Sequence, residues 1–383
     1  MILVLSLLAF AAWLYLLGGR GGFWRSGPVL ESTTPTRPYQ VTVVVPARDE
    51  VNHVLETLQS LLSQEFGGSL RVVLVDDNSS DGTGDLARSM HHCDPRLQVL
   101  AGEPLPAGWT GKMWAVAQGL RQPEARGADY ILLTDADVVH RPGHVASLVA
   151  KAENENLDLV SEMVRLRSES LAEQALIPAF VFFFQMLYPF RWVGDAARST
   201  AAAAGGTMLV SRAALDRVND IERIRGELID DVALASEIKR GGYRIWLGHG
   251  EKAESQRTYP GFADIWQMIA RTAYVQLRYS PLLLVGTCLG MLLMYMEPVW
   301  LAISAQGLAR WVGLVCWSMM AVAFQPTLRR YRRSPIWGLA LPAIALFYLS
   351  ATVGSAVRFY GGHGSVWKDR TYPKHSAAKV GGG

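Results

Sequence analysis

Between residues 282 and 357 the chain carries three apolar stretches, roughly Leu282 to Ser304, Leu308 to Phe324 and Ile336 to Val357. Each approaches the ~20 residues a helix needs to cross a bilayer. In lipid no backbone polar group can stay unpaired, so such stretches confine this third of the chain to helices. Met1 to Leu17 is a further uncharged run, slightly short of a span and followed by Arg20 and Arg25. A signal peptide would carry its positive charge ahead of the run and a small-residue cleavage site behind it, so this order reads as an uncleaved anchor. Arg329, Arg330, Arg332 and Arg333 form the densest basic cluster, which the positive-inside rule assigns to the cytoplasm. Tracing back through two spans puts the Arg20 flank and everything up to Pro281 on that side too. The same count sends the tail outside, although it carries Arg358, Lys368, Arg370, Lys374 and Lys379. That conflict leaves two or three C-terminal spans. The expected division is an anchor at 1–19, a cytoplasmic domain at 39–281, a membrane region at 282–357 and a basic tail at 358–383.

Half of the residues are hydrophobic, and the net charge is only +3. Bulk electrostatics therefore give no reason to expect a nucleic-acid partner. Cys93, Cys288 and Cys316 have no paired or metal-ligand spacing and read as free thiols.

Within 39–281 short apolar runs alternate with helical patterns, the signature of βαβ units and a mainly parallel α/β sheet. Gln40 to Val45, Leu70 to Val75 and Tyr130 to Leu133 read as buried strands. Val51, Val54, Leu55, Leu58, Leu61 and Leu62 share one face of a helix between the first two. Every one of these strands runs into acidic residues: Arg48-Asp49-Glu50, then Asp76-Asp77, then Asp135-Ala136-Asp137. Carboxyl ends of parallel strands line the ligand crevice of such sheets. Any one element is also ordinary turn or N-cap composition. Three together build a negative site that asks for a cation. Asp135 and Asp137, two apart, point to one side of an extended chain and could hold Mg2+ or Mn2+ that bridges substrate phosphates.

PARDE, VDDNSSDGT and LTDADV, in this order, resemble the family 2 glycosyltransferases with the GT-A fold, over about Val41 to Leu247. The resemblance implies a nucleotide-sugar donor, UDP-linked by family habit. It brings Arg48 and Glu50 to the nucleotide, gives Asp77 with Asp76 the base, and makes Asp135 and Asp137 the metal pair. Lys112, in Gly108-Trp109-Thr110-Gly111-Lys112, matches a lysine near the nucleotide-sugar, where it can offset diphosphate charge. A solvated lysine is the plain alternative. The segment is no P-loop, because Met113 stands where Ser or Thr would reach Mg2+. Glu227-Leu228-Ile229-Asp230-Asp231 resembles the family's acidic pair, here Asp-Asp rather than Glu-Asp, at a helix start. Acidic residues also suit that position through the macrodipole. The family reading makes Asp231, with Asp230 beside it, the general base of an inverting displacement. Gln276-Leu277-Arg278-Tyr279 matches a later family motif only in part, so Arg278 either contacts the diphosphate or flanks the next span. Gly364-Ser365-Val366-Trp367-Lys368-Asp369-Arg370-Thr371-Tyr372 resembles a WKGR-like tail, with Asp369 in place of Gly.

Leu176 to Trp192 is strongly apolar and aromatic. A single crossing there would put Asp231 across the bilayer from Asp135 and Asp137, so an interfacial segment is expected. The whole chain is most similar to the hopene-associated glycosyltransferases of bacteria, through LPAGWTGKMWA, FVFFFQMLYPF, ELIDDVALA and RTAYVQLRYSP. That likeness implies a hopanoid-related lipid acceptor and a multi-pass enzyme of the bacterial inner membrane; ceramide or carotenoid glycosylation would fit the same chemistry. A lipid nucleotidyl- or phosphoryl-transferase, or a non-catalytic lipid-binding protein on the same fold, are the rival classes.

Overall fold

The computed structural model describes residues 2–219, 221–361, 366–367 and 370–371, which group into two units. The first comprises 28–167, 192–219, 221–257, 366–367 and 370–371. The second comprises 2–27, 168–191 and 258–361. The stretch 39–281 is therefore not continuous in space: 168–191 and 258–281 group with the apolar helices.

The first unit is built on one eight-stranded sheet. Its strands are β1 (Gln40–Ala47), β2 (Ser69–Asp76), β3 (Leu97–Ala101), β4 (Tyr130–Thr134), β5 (Val138–His140), β6 (Leu159–Arg165), β7 (Thr207–Ser211) and β8 (Ile245–Ser255). Their spatial order is β3-β2-β1-β4-β7-β6-β8-β5. β1, β2, β3 and β4 are mutually parallel, with Ala47 opposite Asp76, and β7 runs antiparallel between β4 and β6. β1 is buried along its length from Val41 to Ala47 because helices cover both faces of a parallel sheet. The helix Val54–Leu62 buries Val54, Leu58 and Leu61 against it, while Val51 lies in the preceding turn. Gly119 sits where the helix Gly111–Leu120 crosses β1; a Cβ there would lie 2.5 Å from Val44 Cγ1. A hydrogen at that position lets helix and sheet approach, and the same helix carries Lys112 at its start.

In the second unit, helices cover Ile2–Gly18, Leu171–Leu187, Phe262–Gln276, Pro281–Met291, Glu297–Ser304, Gly307–Arg330 and Leu341–Tyr360. Among the described residues, four stretches are long and apolar enough to cross a membrane: Leu171–Val193, Pro281–Ser304, Gly307–Arg330 and Leu341–Tyr360; Leu3–Gly18 is shorter. The most apolar window of Pro281–Ser304 is only 11% buried, with Leu282 81% exposed. That of Leu171–Val193 is 56% buried. A π-turn at Leu292–Met296 loosens the backbone ladder, and fully buried Trp13 donates its indole N–H to the Met294 carbonyl at 2.9 Å. Arg20 donates to the carbonyls of Met186 and Leu187 at 3.1 and 3.2 Å. It thereby satisfies orphan acceptors at that helix's C-terminus. Ser170 and Glu173 close the other end as a capping box. Arg278, exposed and at a φ of 52°, sits at the break before Pro281, within this unit. Cys93, Cys288 and Cys316 are free thiols. Of the tail, Val366–Trp367 pairs antiparallel with Arg370–Thr371. Gly364, Ser365, Lys368, Asp369, Tyr372, Lys374 and Lys379 lie outside the described residues.

Overfilling the helix–sheet contact tests the fold and the placement of Lys112 together. Gly119→Leu is expected to destabilise the protein by about 1–3 kcal/mol, read as a lower midpoint of thermal unfolding in detergent. An unchanged midpoint would show that the helix does not pack on β1 at this distance.

Candidate active site

The C-terminal edge of the parallel strands collects the acidic residues. Asp77 follows β2 and is fully buried, and its N–H donates to the Ala47 carbonyl at 2.8 Å. Asp76 accepts from the Ser79 N–H at 3.0 Å. Arg48 Nη1 donates to the Asp77 and Asn78 carbonyls at 2.5 and 3.3 Å, so its guanidinium ties the loop after β1 to the loop after β2. Glu50 is buried, its N–H donating to Thr83 Oγ1 at 2.8 Å.

Two cationic side chains organise the carboxylates. Lys112 stands in the first turn of Gly111–Leu120, where Thr110 caps the helix by accepting from the Met113 N–H. Its Nζ lies 3.0 Å from Asp135 Oδ1 and 3.1 Å from Asp230 Oδ2, joining the end of β4 to the start of the helix Asp230–Arg240. Arg257, just past β8, places Nε 2.8 Å from Asp137 Oδ2 and Nη2 2.5 Å from Glu50 Oε1. Asp135 and Asp137 are therefore held by different partners. Asp231 accepts from the Gly205 N–H at 2.9 Å and from the Val232 N–H at 2.8 Å. A Cβ on Gly205 would lie 3.4 Å from Asp231 Oδ2 and 3.5 Å from Lys112 Nζ. Lys239, on the same helix as Asp231, donates to the carbonyls of Trp192, Val193, Asp195 and Thr200 at 2.7 to 3.3 Å and so pins the loop that leads into Gly205. A cavity of about 10 Å³, room for one water, is lined by Lys112, Asp135, Thr134, Gly205 and Asp230 among others.

Burial by itself would favour a neutral Lys112, but Asp135 and Asp230 outweigh it and hold the ammonium above its ordinary range. Burial raises Asp135 as well, with Lys112 opposing and Asp137 adding. Burial first, then the Asp230 charge, push the Asp231 carboxyl up to about 7, against the pull of Lys112, Val232 N–H and Gly205 N–H. Carboxylates outnumber cations here, so the edge has room for positive charge brought from outside. Among the described residues no three His, Cys, Asp or Glu side chains converge into an all-protein metal cage. A cation shared with a diphosphate needs only one or two carboxylates. Asp135, 37% exposed at its side chain, presents such a face and Asp137 lies two residues on, so the donor set fits.

Lys112, Asp135, Asp230 and Asp231 thus gather at one point, and Glu50 and Asp137 meet through Arg257. Arg278 belongs to the helical unit. Arg257, Gly205 and Lys239 escape a reading of the sequence. Only Gly205-Gly206, closing a run of alanines, leaves a loop signal there.

A mixed sheet with this strand order, acidic ends on the parallel strands and a second acidic pair on a helix start defines a GT-A fold, that of nucleotide-diphospho-sugar transferases. Residues 38–273 match the family model described as glycosyltransferase like family 2, and the chain belongs to that family. It is 32% identical over 118 residues to an N-acetylglucosaminyltransferase of Bradyrhizobium elkanii (30% of this chain, 60% of that one). It is 31% identical over 128 residues to another from Sinorhizobium fredii (33% and 29%). The chain thus spans less than two thirds of either relative. The mannosyltransferase PcManGT of Pyrobaculum calidifontis, solved with GDP-Man and Mn2+, superposes with a TM-score of 0.56. It covers 93% of this chain and 99% of its own, and at 19% identity the likeness shows the fold.

The raised Asp231 carboxyl carries a stability consequence. An unfolded Asp ionises near 3.8 and this one near 7, so between those values the folded state binds the extra proton and stability falls as pH rises. Asp231→Asn removes the buried charge. Its melting temperature is expected to match wild type below about pH 4, to exceed it increasingly up to pH 7, and to keep that lead at pH 8. A variant less stable than wild type at pH 8 would refute the electrostatic assignment.

Proposed function

We propose that this glycosyltransferase moves a sugar from a nucleotide-sugar to a hydroxyl of a lipid, with inversion at the anomeric carbon. The observation that carries this reading is the meeting of Asp135, Lys112, Asp230 and Asp231. Asp135 and Asp230, 95 residues apart in sequence, share one lysine. Asp231 accepts the proton of the attacking hydroxyl while the oxygen bonds to the anomeric carbon; the bond from that carbon to the diphosphate oxygen breaks, and nucleoside diphosphate leaves. Of the acidic pair, Asp230 faces the Lys112 ammonium and Asp231 the Gly205 N–H, which supports the second as base. Lys112 neutralises charge on the departing diphosphate once donor displaces it from Asp230. Asp135, with Asp137, would hold Mg2+ or Mn2+, which when bound supplies further neutralisation of the leaving diphosphate. Asp76 and Asp77, with Arg48 bracing their loop, suit the nucleotide.

The lipid acceptor is supported by four apolar stretches long enough to span a membrane. The apolar helix Leu171–Leu187 separates Asp135 from Asp230 in sequence, yet Lys112 touches both. A segment crossing once would divide them, so this helix returns to the side it leaves. With the Arg329–Arg333 cluster as the positive-inside signal, the reading is a bacterial inner-membrane enzyme whose sheet unit faces the cytoplasm. Among lipids, a hopanoid-related acceptor follows from the sequence resemblance.

The test uses detergent-solubilised protein, Mn2+ and a panel of nucleotide-sugars, with nucleoside diphosphate release measured with and without a hopanoid-containing lipid extract. Release that requires lipid is expected, with product migrating as glycolipid. Lipid-independent release, or phospholipid product, would overturn the acceptor assignment. Asp231→Asn is expected to lower kcat by roughly 10²–10⁴. In the wild type kcat/KM should rise with pH through about 7 as Asp231 loses its proton, and a profile flat from pH 5 to 9 would remove Asp231 from the role of base.

A further inference from the structure

We infer that Thr134, His140 and His144, joined by hydrogen bonds and ending against the Glu162 carboxylate, form a buried polar chain that positions Asp231 through the Gly205-Gly206 turn. This rests on the reading of Asp231 as the base. All four side chains are almost wholly shut off from solvent. The direction of the chain follows from what each atom can do. Thr134 Oγ1 has one hydrogen, and the Gly206 carbonyl 2.7 Å away can only accept it. The 3.0 Å contact between Thr134 Oγ1 and His140 Nε2 then requires the proton on His140. Burial, with His144 beside it, keeps His140 neutral, so its Nδ1 accepts from His144 Nδ1–H at 2.8 Å. The remaining nitrogen, His144 Nε2, faces Glu162 Oε1 at 3.2 Å.

The chain closes on itself through β6. Ser161, the residue before Glu162, accepts from the Ala204 N–H at 2.8 Å and donates to the Thr207 carbonyl at 2.9 Å. The turn 204–207 is thus gripped by Ser161 on one side and by Thr134 on the other. Its Gly205 N–H is the donor to Asp231 Oδ2. At the far end Gly250 leaves room for Glu162: a Cβ there would collide with the carboxylate. An apolar core of equal volume would serve stability at least as well as such buried polar groups. Directional hydrogen bonds from Thr134 and Ser161 instead fix one geometry, and the geometry fixed here is that of the N–H aimed at Asp231.

Losing the chain should loosen that N–H and remove part of what favours ionised Asp231. The other charged groups facing Asp231 are Asp230 on its own helix and Lys112 on Gly111–Leu120, with Asp135 of the β4 edge beyond Lys112; all three stay in place. The experiment compares Thr134→Val, Thr134→Ser, Glu162→Gln and Asp231→Asn in the solubilised full chain with Mn2+, donor and lipid extract. For Thr134→Val, kcat is expected to fall about tenfold, the equivalent of one lost hydrogen bond, with donor KM within twofold. The acid limb of kcat/KM should move to higher pH, Thr134→Ser should restore both, and Glu162→Gln should shift the limb in the same direction. Wild-type kcat and limb in Thr134→Val, with Asp231→Asn inactive, overturn the positioning chain alone. So does a lower kcat with an unmoved limb in both chain variants, which a merely structural role would give. Full activity in Asp231→Asn sinks the base reading, and this inference with it.

Discussion

The site depends on one ammonium group. Lys112 stands between Asp135 and Asp230 at 3.0 and 3.1 Å, and without it three carboxylates would crowd a partly dry corner of the protein. Burying like charges together is among the most unfavourable arrangements a fold can hold. The lysine makes it tolerable and ties the end of β4 to the start of the helix Asp230–Arg240. Its own position comes from the Thr110 cap and from the glycine that lets its helix lie on β1. Small local features thus place the charge on which the larger arrangement turns.

Division of labour between adjacent acids follows from that lysine. Asp230 lies against Lys112, and Asp231 against backbone N–H groups of Gly205 and Val232. Two carboxylates in one helical turn would otherwise be near-equivalents; their surroundings separate them, as environments do wherever paired acids take different roles. A group charged in water but protonated up to about 7 in the fold weakens the folded state at neutral pH. The same property places it where a base for a hydroxyl proton is most effective.

The strands β1, β2 and β4, their acidic ends and the acid pair at the helix start were legible in the sequence. Each is local: an apolar run of strand length, then a turn rich in Asp. Arg257 was not, because nothing around Gln256-Arg257-Thr258 marks it. It reaches Asp137 only because β8 pairs antiparallel with β5, Val138 opposite Ser255, a register with no trace in either segment alone. Thr134 fell just past the strand read at Tyr130 to Leu133 and carried no role, and His140 and His144 read as nothing. Their meaning comes from β6, which supplies Glu162 and Ser161 from further along the chain. The domain stretch 39–281 illustrates the same limit. Composition shows that Leu176 to Trp192 is apolar, but whether it packs with the sheet or with other apolar helices is decided by tertiary contacts.

The chain leaves the sheet unit twice, after Arg167 and after Arg257. The first excursion falls between Asp135 and the acid pair. The second begins one residue past the guanidinium that holds Glu50 and Asp137. Each helical excursion is therefore bounded in sequence by segments that contribute to the acidic edge. Lys239, with four carbonyl acceptors, braces the return from the first of these. The site is thus held by backbone carbonyls and N–H groups where the chain re-enters the sheet unit and by ion pairs at its centre. That combination fixes a charged centre with contacts drawn from within the sheet unit itself.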